Sequence, residues 1–114
     1  MTPRKLQKFI HELAVKHGWW NPRDSSIIPT KLVLIHSEVS EALECYREHQ
    51  LDTTFKYTKD SKSYKPLGFG SELADVVIRC FDLAEYLHID LWKIIELKHE
   101  YNITRPYRHG GKAA

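Results

Sequence analysis

Four carboxylates in this chain stand at spacings that suit a divalent cation. Glu38 and Glu41 are three residues apart, and so are Glu72 and Asp75. On a helix, residues three apart carry Cβ atoms about 5–6 Å from one another on one face. At about 100° per residue, Glu38 and Glu41 fall beside the apolar stripe through Ile35. Glu72 and Asp75 flank the stripe of the next long helix on a common side. Packing the two stripes together brings both pairs to one edge. Four carboxylates there repel each other unless a hard cation lies between them, and oxygen donors at that density suit Mg²⁺ or Mn²⁺. For one such pair alone, a solvated helix face is the commoner explanation. Two pairs on two core helices give the metal reading equal weight.

That chemistry fits phosphoryl transfer, which needs charge neutralisation and an in-line nucleophile more than covalent help. Cations held by carboxylates bridge phosphate oxygens and acidify a water, and a further carboxylate takes the proton. Lys98, Asn102 and Arg105 follow at spacings of four and three, a row that suits a polyphosphate chain. Cations balancing a helix C-terminus are the alternative for this row. Trp19, Trp20 and Phe69 fall in loops, where an aromatic ring can stack on a base, and Asn21 beside Trp20 can read a base edge. A hydrophobic lid over the end of the fold accounts for the same aromatics. The seven histidines include no HExxH or Cys/His zinc spacing. Glu85-x-x-His88 and Glu96-x-x-His99 have the spacing of di-iron sites, but the first lies at a helix end, away from the carboxylate pairs. Nucleotide-binding glycine loops and nucleophile elbows are absent.

Between the Gly- and Pro-rich stretches the apolar residues recur at three and four, which predicts helices. The first runs from about Pro3 to His17, capped by Thr2 and stopped by Gly18, with Leu6, Phe9, Ile10 and Leu13 on one face. The second spans about Thr30 to His49, with Leu32, Ile35, Val39, Ala42 and Tyr46 as its stripe. The third starts after Gly70 with Ser71 as cap and reaches about His88, its stripe being Leu73, Val77, Cys80, Ala84 and Leu87. Asp90 caps a fourth, from Leu91 to about Asn102. Residues 51–69 read as a long loop with a loosely alternating start that can pair as a short strand. Residues 104–114 form a basic tail. The expected fold is an all-α four-helix bundle with a long loop between its second and third helices, one domain over residues 1–114.

Composition bounds the function. The 114 residues hold 17 Lys and Arg against 15 Asp and Glu, a surplus too small to argue for nucleic acid on charge alone. No apolar run is long enough to span a membrane, and the N-terminus lacks a signal-peptide pattern, so a cytoplasmic protein is expected. Cys45 and Cys80 are then expected as reduced thiols.

The ordered pattern Glu38-x-x-Glu41, Glu72-x-x-Asp75, then Lys98, Asn102 and Arg105 before Pro106-Tyr107-Arg108-His109-Gly110-Gly111-Lys112, resembles the MazG-like all-α NTP pyrophosphohydrolases over residues 30–112. The resemblance implies an oligomeric helical bundle that uses Mg²⁺ or Mn²⁺ to hydrolyse a nucleoside triphosphate to the monophosphate and pyrophosphate. It implies Glu38, Glu41, Glu72 and Asp75 as metal ligands. Many relatives carry Glu-Glu-x-x-Glu, where this chain has Ser37 before Glu38, so the proton acceptor passes to another carboxylate such as Glu38 or Glu44. A long stripe on a short chain also predicts a homo-oligomer, dimer or tetramer, with the site near a subunit boundary. The rival reading is a non-catalytic helical adaptor whose basic segments 56–65 and 104–112 bind nucleic acid.

Overall fold

A computed structural model of the chain describes residues 1–49, 51, 56–59 and 64–107. They form α1 (Pro3–Lys16), α2 (Ile27–Arg47), β1 (Lys56–Lys59), β2 (Tyr64–Leu67), α3 (Phe69–Tyr86) and α4 (Leu91–Ile103). The fold is mostly helical. No helix among the described residues is long and apolar enough to cross a membrane.

The caps explain most of the boundaries. Thr2 Oγ1 accepts from the Lys5 N–H, and Pro3 opens α1, where its missing N–H costs nothing. At the other end Gly18 adopts φ +77°, and the Trp19 and Gly18 N–H groups donate to the Ala14 and Val15 carbonyls. That left-handed cap turns the chain back so that Trp20 meets Asp82 and Tyr86. Asp90 caps α4 through the Lys93 N–H.

Two helices begin earlier than the sequence predicts. α2 starts at Ile27 instead of Thr30, because a Pro in the first turn, here Pro29, forfeits no intrahelical bond. Asp24 organises the approach: its Oδ1 accepts from both the N–H and the hydroxyl of Ser26, at 2.9 and 2.8 Å. α3 starts at Phe69, and its cap is Gly68 at φ +113°, a backbone conformation that a side chain rarely tolerates. Ser71, expected as the cap, lies inside the first turn and donates to the Pro66 carbonyl. The segment expected as one loop contains an antiparallel hairpin, with Lys56 opposite Leu67 and Lys59 opposite Tyr64. β2 runs through Gly68 directly into α3, which puts Glu72 in the first helical turn. The tail beyond Tyr107 lies outside the described residues.

α3 is the hub. It packs on α2 along one side and on α1 along another, whereas α4 packs chiefly on α1. The core is thin: Ala14, Ala42, Cys45, Phe81, Leu83 and Ala84, together with Gln7. Gln7 Nε2 donates to Glu85 Oε1 and to the Ile89 carbonyl, which ties α1 to the end of α3. Both cysteines are free thiols. Of the stripes expected to form the core, Ala42 and Ala84 are buried, but the larger members stay half-exposed. Leu32, Val39 and Tyr46 on α2, and Leu73 and Val77 on α3, each keep about half their surface. Helices that are apolar on more than one face have more surface than one chain of this length can bury. The Cα radius of gyration, 17.0 Å, accordingly exceeds the roughly 13 Å of a compact domain near this length.

Candidate metal centre

α2 and α3 bring three carboxylates together. One oxygen each from Glu38, Glu72 and Asp75 lies within 4.8 Å of the others, and all three side chains are half-buried. Glu41, expected as a fourth ligand, is exposed on the next turn of α2 and stands outside this set. Its charge still reaches the cluster, raising the Glu72 pKa.

The electrostatics are those of concentrated negative charge. Burial pushes the Glu72 carboxyl above its ordinary range, and Asp75, Glu38 and Glu41 push it further, against a smaller pull from Lys65. The helix N-terminus favours an ionised Glu72, but burial and three like charges win. Asp75 is raised by burial and by Glu38, and Arg79 and Lys65 offset part of this. Arg79, one turn beyond Asp75, donates from Nε to Glu38 Oε1 at 2.8 Å. Three oxygen donors of this kind, partly desolvated and mutually repelling, could hold a metal ion.

A linked stability change follows. Folded-state pKa values above the unfolded ones mean that burial of charge, with the repulsion between carboxylates, opposes folding at neutral pH, and that this cost vanishes once both carboxyls are protonated. Without a divalent cation, stability should therefore rise as pH falls through the raised Glu72 and Asp75 range. At neutral pH, Mn²⁺ at 100 times its Kd should stabilise the fold by about 2.7 kcal/mol. That gain should fade as the carboxyls protonate on acidification. Thermal melts with Mn²⁺ or chelator, at neutral and acid pH, measure both slopes. An identical melt with and without Mn²⁺ at neutral pH would rule out a site here.

Beside the carboxylates lies a cleft of about 420 Å³, with Ile10, Leu13, Ala14, Trp19 and Ile78 on its apolar side. Glu38, Asp75, Arg79 and Asp82 line the remainder. A second cleft of about 300 Å³ adjoins it through Trp19, Arg79 and Asp82 and adds Lys31 and Leu34.

Trp19, 61% exposed, borders both clefts, while Trp20 is committed elsewhere. The Trp20 N–H donates to both Asp82 oxygens at 3.0 Å, its ring stacks on Tyr86 at 4.3 Å, and Lys31 Nζ sits 4.4 Å from the ring centroid. His11 Nδ1 meets Asp82 Oδ1 at 2.7 Å, completing a network across α1 and α3. Trp20 is thus a structural strut, its N–H held by Asp82 and its ring by Tyr86 and Lys31. Asn21, expected to read a base, accepts from the Arg23 N–H in the turn before α2. Trp20→Ala should cost about 2–3 kcal/mol of stability. Trp19→Ala should cost little stability and should weaken stacking of an aromatic ligand by about 1–3 kcal/mol. Chemical denaturation and nucleotide titration of both variants separate the two roles.

Lys98, Asn102 and Arg105 sit on α4 and its exit, exposed, and none of them lines either cleft. Lys98 and Arg105 lie near the Tyr101 ring, at 6.0 and 5.6 Å. Glu44, the alternative proton acceptor, pairs with Arg47. Glu85 is held by Arg4 and Gln7, whose hydrogen bonds outweigh burial and keep its carboxyl low. Di-iron ligation has no support in that geometry.

The sequence reading missed Arg79 and Asp82. Both follow Asp75 at helical spacing, four and seven residues on, so the signal was present. No protein-family model, curated protein or solved structure matches this chain.

Proposed function

We propose that this protein is a metal-dependent nucleoside triphosphate pyrophosphohydrolase, in which water splits the α–β phosphoanhydride to yield the monophosphate and pyrophosphate. One observation carries the reading: Glu38, Glu72 and Asp75 converge within 4.8 Å, and Glu38 and Asp75 also line a cleft that Trp19 borders. The family resemblance of the carboxylate spacing supports it. Glu38, Glu72 and Asp75 would hold Mg²⁺ or Mn²⁺, which supplies charge neutralisation on the phosphate oxygens when bound. Glu41 is close enough for its charge to act on Glu72 and is solvent-exposed, so it can accept the proton from the attacking water. Trp19 and the apolar side of the cleft offer a planar surface to the base.

The finer fold is a four-helix bundle closed by self-association. α4 buries none of its residues within the chain, and Trp92, Ile94, Ile95, Leu97 and Ile103 remain 42–70% exposed. A homo-oligomer that covers them is the arrangement in which Lys98, Asn102 and Arg105 serve a site in another copy. Nucleotide-pool trimming in a cytoplasm is the role that fits this activity.

The test is a panel of all the common ribo- and deoxyribonucleoside triphosphates with Mg²⁺ or Mn²⁺, with products resolved by chromatography. Monophosphate and pyrophosphate in equal amounts are expected with at least one substrate. No turnover of any nucleotide, together with salt-sensitive DNA binding, would select the nucleic-acid adaptor instead.

A further inference from the structure

Arg79 occupies an unusual position. It lies one helical turn after Asp75, it borders both clefts, and its Nε donates to Glu38 Oε1 at 2.8 Å. The pair is well defined, with the Glu38 side chain 16% exposed and that of Arg79 37% exposed. Only the Nε edge is engaged: the Nη groups make no hydrogen bond among the described residues. A guanidinium therefore sits with its Nε on a carboxylate of the cluster, in a residue that lines both clefts.

We infer that Arg79 is the resident counter-cation of the carboxylate cluster, pairing with Glu38 when no divalent cation is bound and turning its fork to the phosphate chain of the substrate when one is. The inference rests on the metal-dependent reading above and goes beyond it by assigning Arg79 two successive partners.

Without a metal ion, three carboxylates within 4.8 Å repel one another; Lys65 offsets part of this from β2, and Arg79 is the cation hydrogen-bonded to the cluster itself. Arg79 also holds Asp75 down, so its charge acts on a second carboxylate of the cluster besides Glu38. A divalent cation entering the cluster competes with the guanidinium for Glu38 and repels it. At about 4–5 Å, even water-like screening leaves a repulsion that changes affinity by roughly tenfold. Once displaced, the guanidinium has five N–H donors and planar geometry suited to phosphate oxygens. The direction of movement is set by the adjoining cleft, where Lys31 supplies the only other cation among its lining residues. Lys31 itself is held by the Trp19 carbonyl at 2.7 Å and by the Trp20 ring, which leaves Arg79 as the adjustable member.

Isothermal titration tests this on the full chain, first with Mn²⁺ alone and then with inorganic pyrophosphate on the Mn²⁺-saturated protein. Arg79→Gln should bind Mn²⁺ about tenfold more tightly than the unmodified protein, because the competing charge is gone. The same variant should bind pyrophosphate at least tenfold more weakly. Arg79→Lys retains the charge and should return Mn²⁺ affinity to near the original value, while restoring pyrophosphate binding only in part, since an ammonium lacks the planar fork. A merely structural role predicts weaker Mn²⁺ binding in both variants, matched by a lower melting temperature, and that result would overturn the inference. Unchanged Mn²⁺ affinity in Arg79→Gln would overturn it too, leaving the metal site standing. Failure of the unmodified protein to bind Mn²⁺ would remove the proposed function and this inference together.

Discussion

Asp75→Asn is expected to lower nucleoside triphosphate hydrolysis by about 10²–10³-fold while leaving the helices intact. The substitution keeps the shape of the side chain and removes one of three charged donors. Losing about 3–4 kcal/mol of transition-state stabilisation corresponds to that rate factor. The stability effect should have the opposite sign. Asp75 is raised by burial and by Glu38, so its charge opposes folding at neutral pH, and the neutral amide relieves this. A thermal midpoint a few degrees higher is the expected accompaniment. Glu72→Gln should behave alike, because burial and its three carboxylate neighbours raise it in the same manner. Glu41→Gln should differ. An exposed proton acceptor outside the ligand set should lose about 10²-fold in kcat with Mn²⁺ affinity almost unchanged. Steady-state kinetics, Mn²⁺ titration and far-UV circular dichroism on the three variants give the pattern. Full activity of Asp75→Asn, or of the unmodified protein in excess chelator, would end the metal-dependent reading.

The second large effect concerns assembly. Leu97→Glu on α4 should convert a homo-oligomer into a folded 13.4 kDa monomer with little activity. Leu97 is 54% exposed in the isolated chain, on a helix that buries nothing of its own. A charge placed there is harmless in a monomer and costs several kcal/mol in an apolar interface, so the association constant should fall by two orders of magnitude or more. Light scattering reads the mass directly. Complementation reads the geometry of the site. A chain carrying Asp75→Asn and a chain carrying Arg105→Ala should each be nearly inactive. Mixed after dissociation, they should recover activity, because one copy then supplies intact carboxylates and the other an intact α4 row. Without recovery, the row serves no site across a subunit boundary. An unmodified protein that scatters as a 13.4 kDa monomer with full turnover would dispose of the assembly altogether.

What the sequence by itself determined was local. Helix periodicity, the Thr2 and Asp90 caps and the Gly18 stop depend on neighbouring residues alone, and α1 and α4 follow them closely. The spacing of Glu38, Glu72 and Asp75 relative to the apolar residues was likewise legible, since helical geometry carries it. Their convergence depended on α2 packing on α3, which the apolar stripes of the two helices anticipate in outline. The start of α3 was hidden, because it turns on a strand that feeds Gly68 at positive φ into the helix, a tertiary circumstance.

Only the tertiary structure decided between equivalent residues. Trp19 and Trp20 are adjacent and alike, but the left-handed turn at Gly18 sends one to Asp82 and Tyr86 and leaves the other on the cleft. Glu41 repeats the spacing of its neighbours, but its turn of α2 faces solvent rather than Asp75. Arg79 lies among apolar residues of α3, and nothing local distinguishes it from a surface cation until α2 brings Glu38 within 2.8 Å. Spacing along a helix specifies a direction around its axis. Which partner occupies that direction is set by the docking of another helix, and docking depends on the summed burial of many side chains rather than on any one motif.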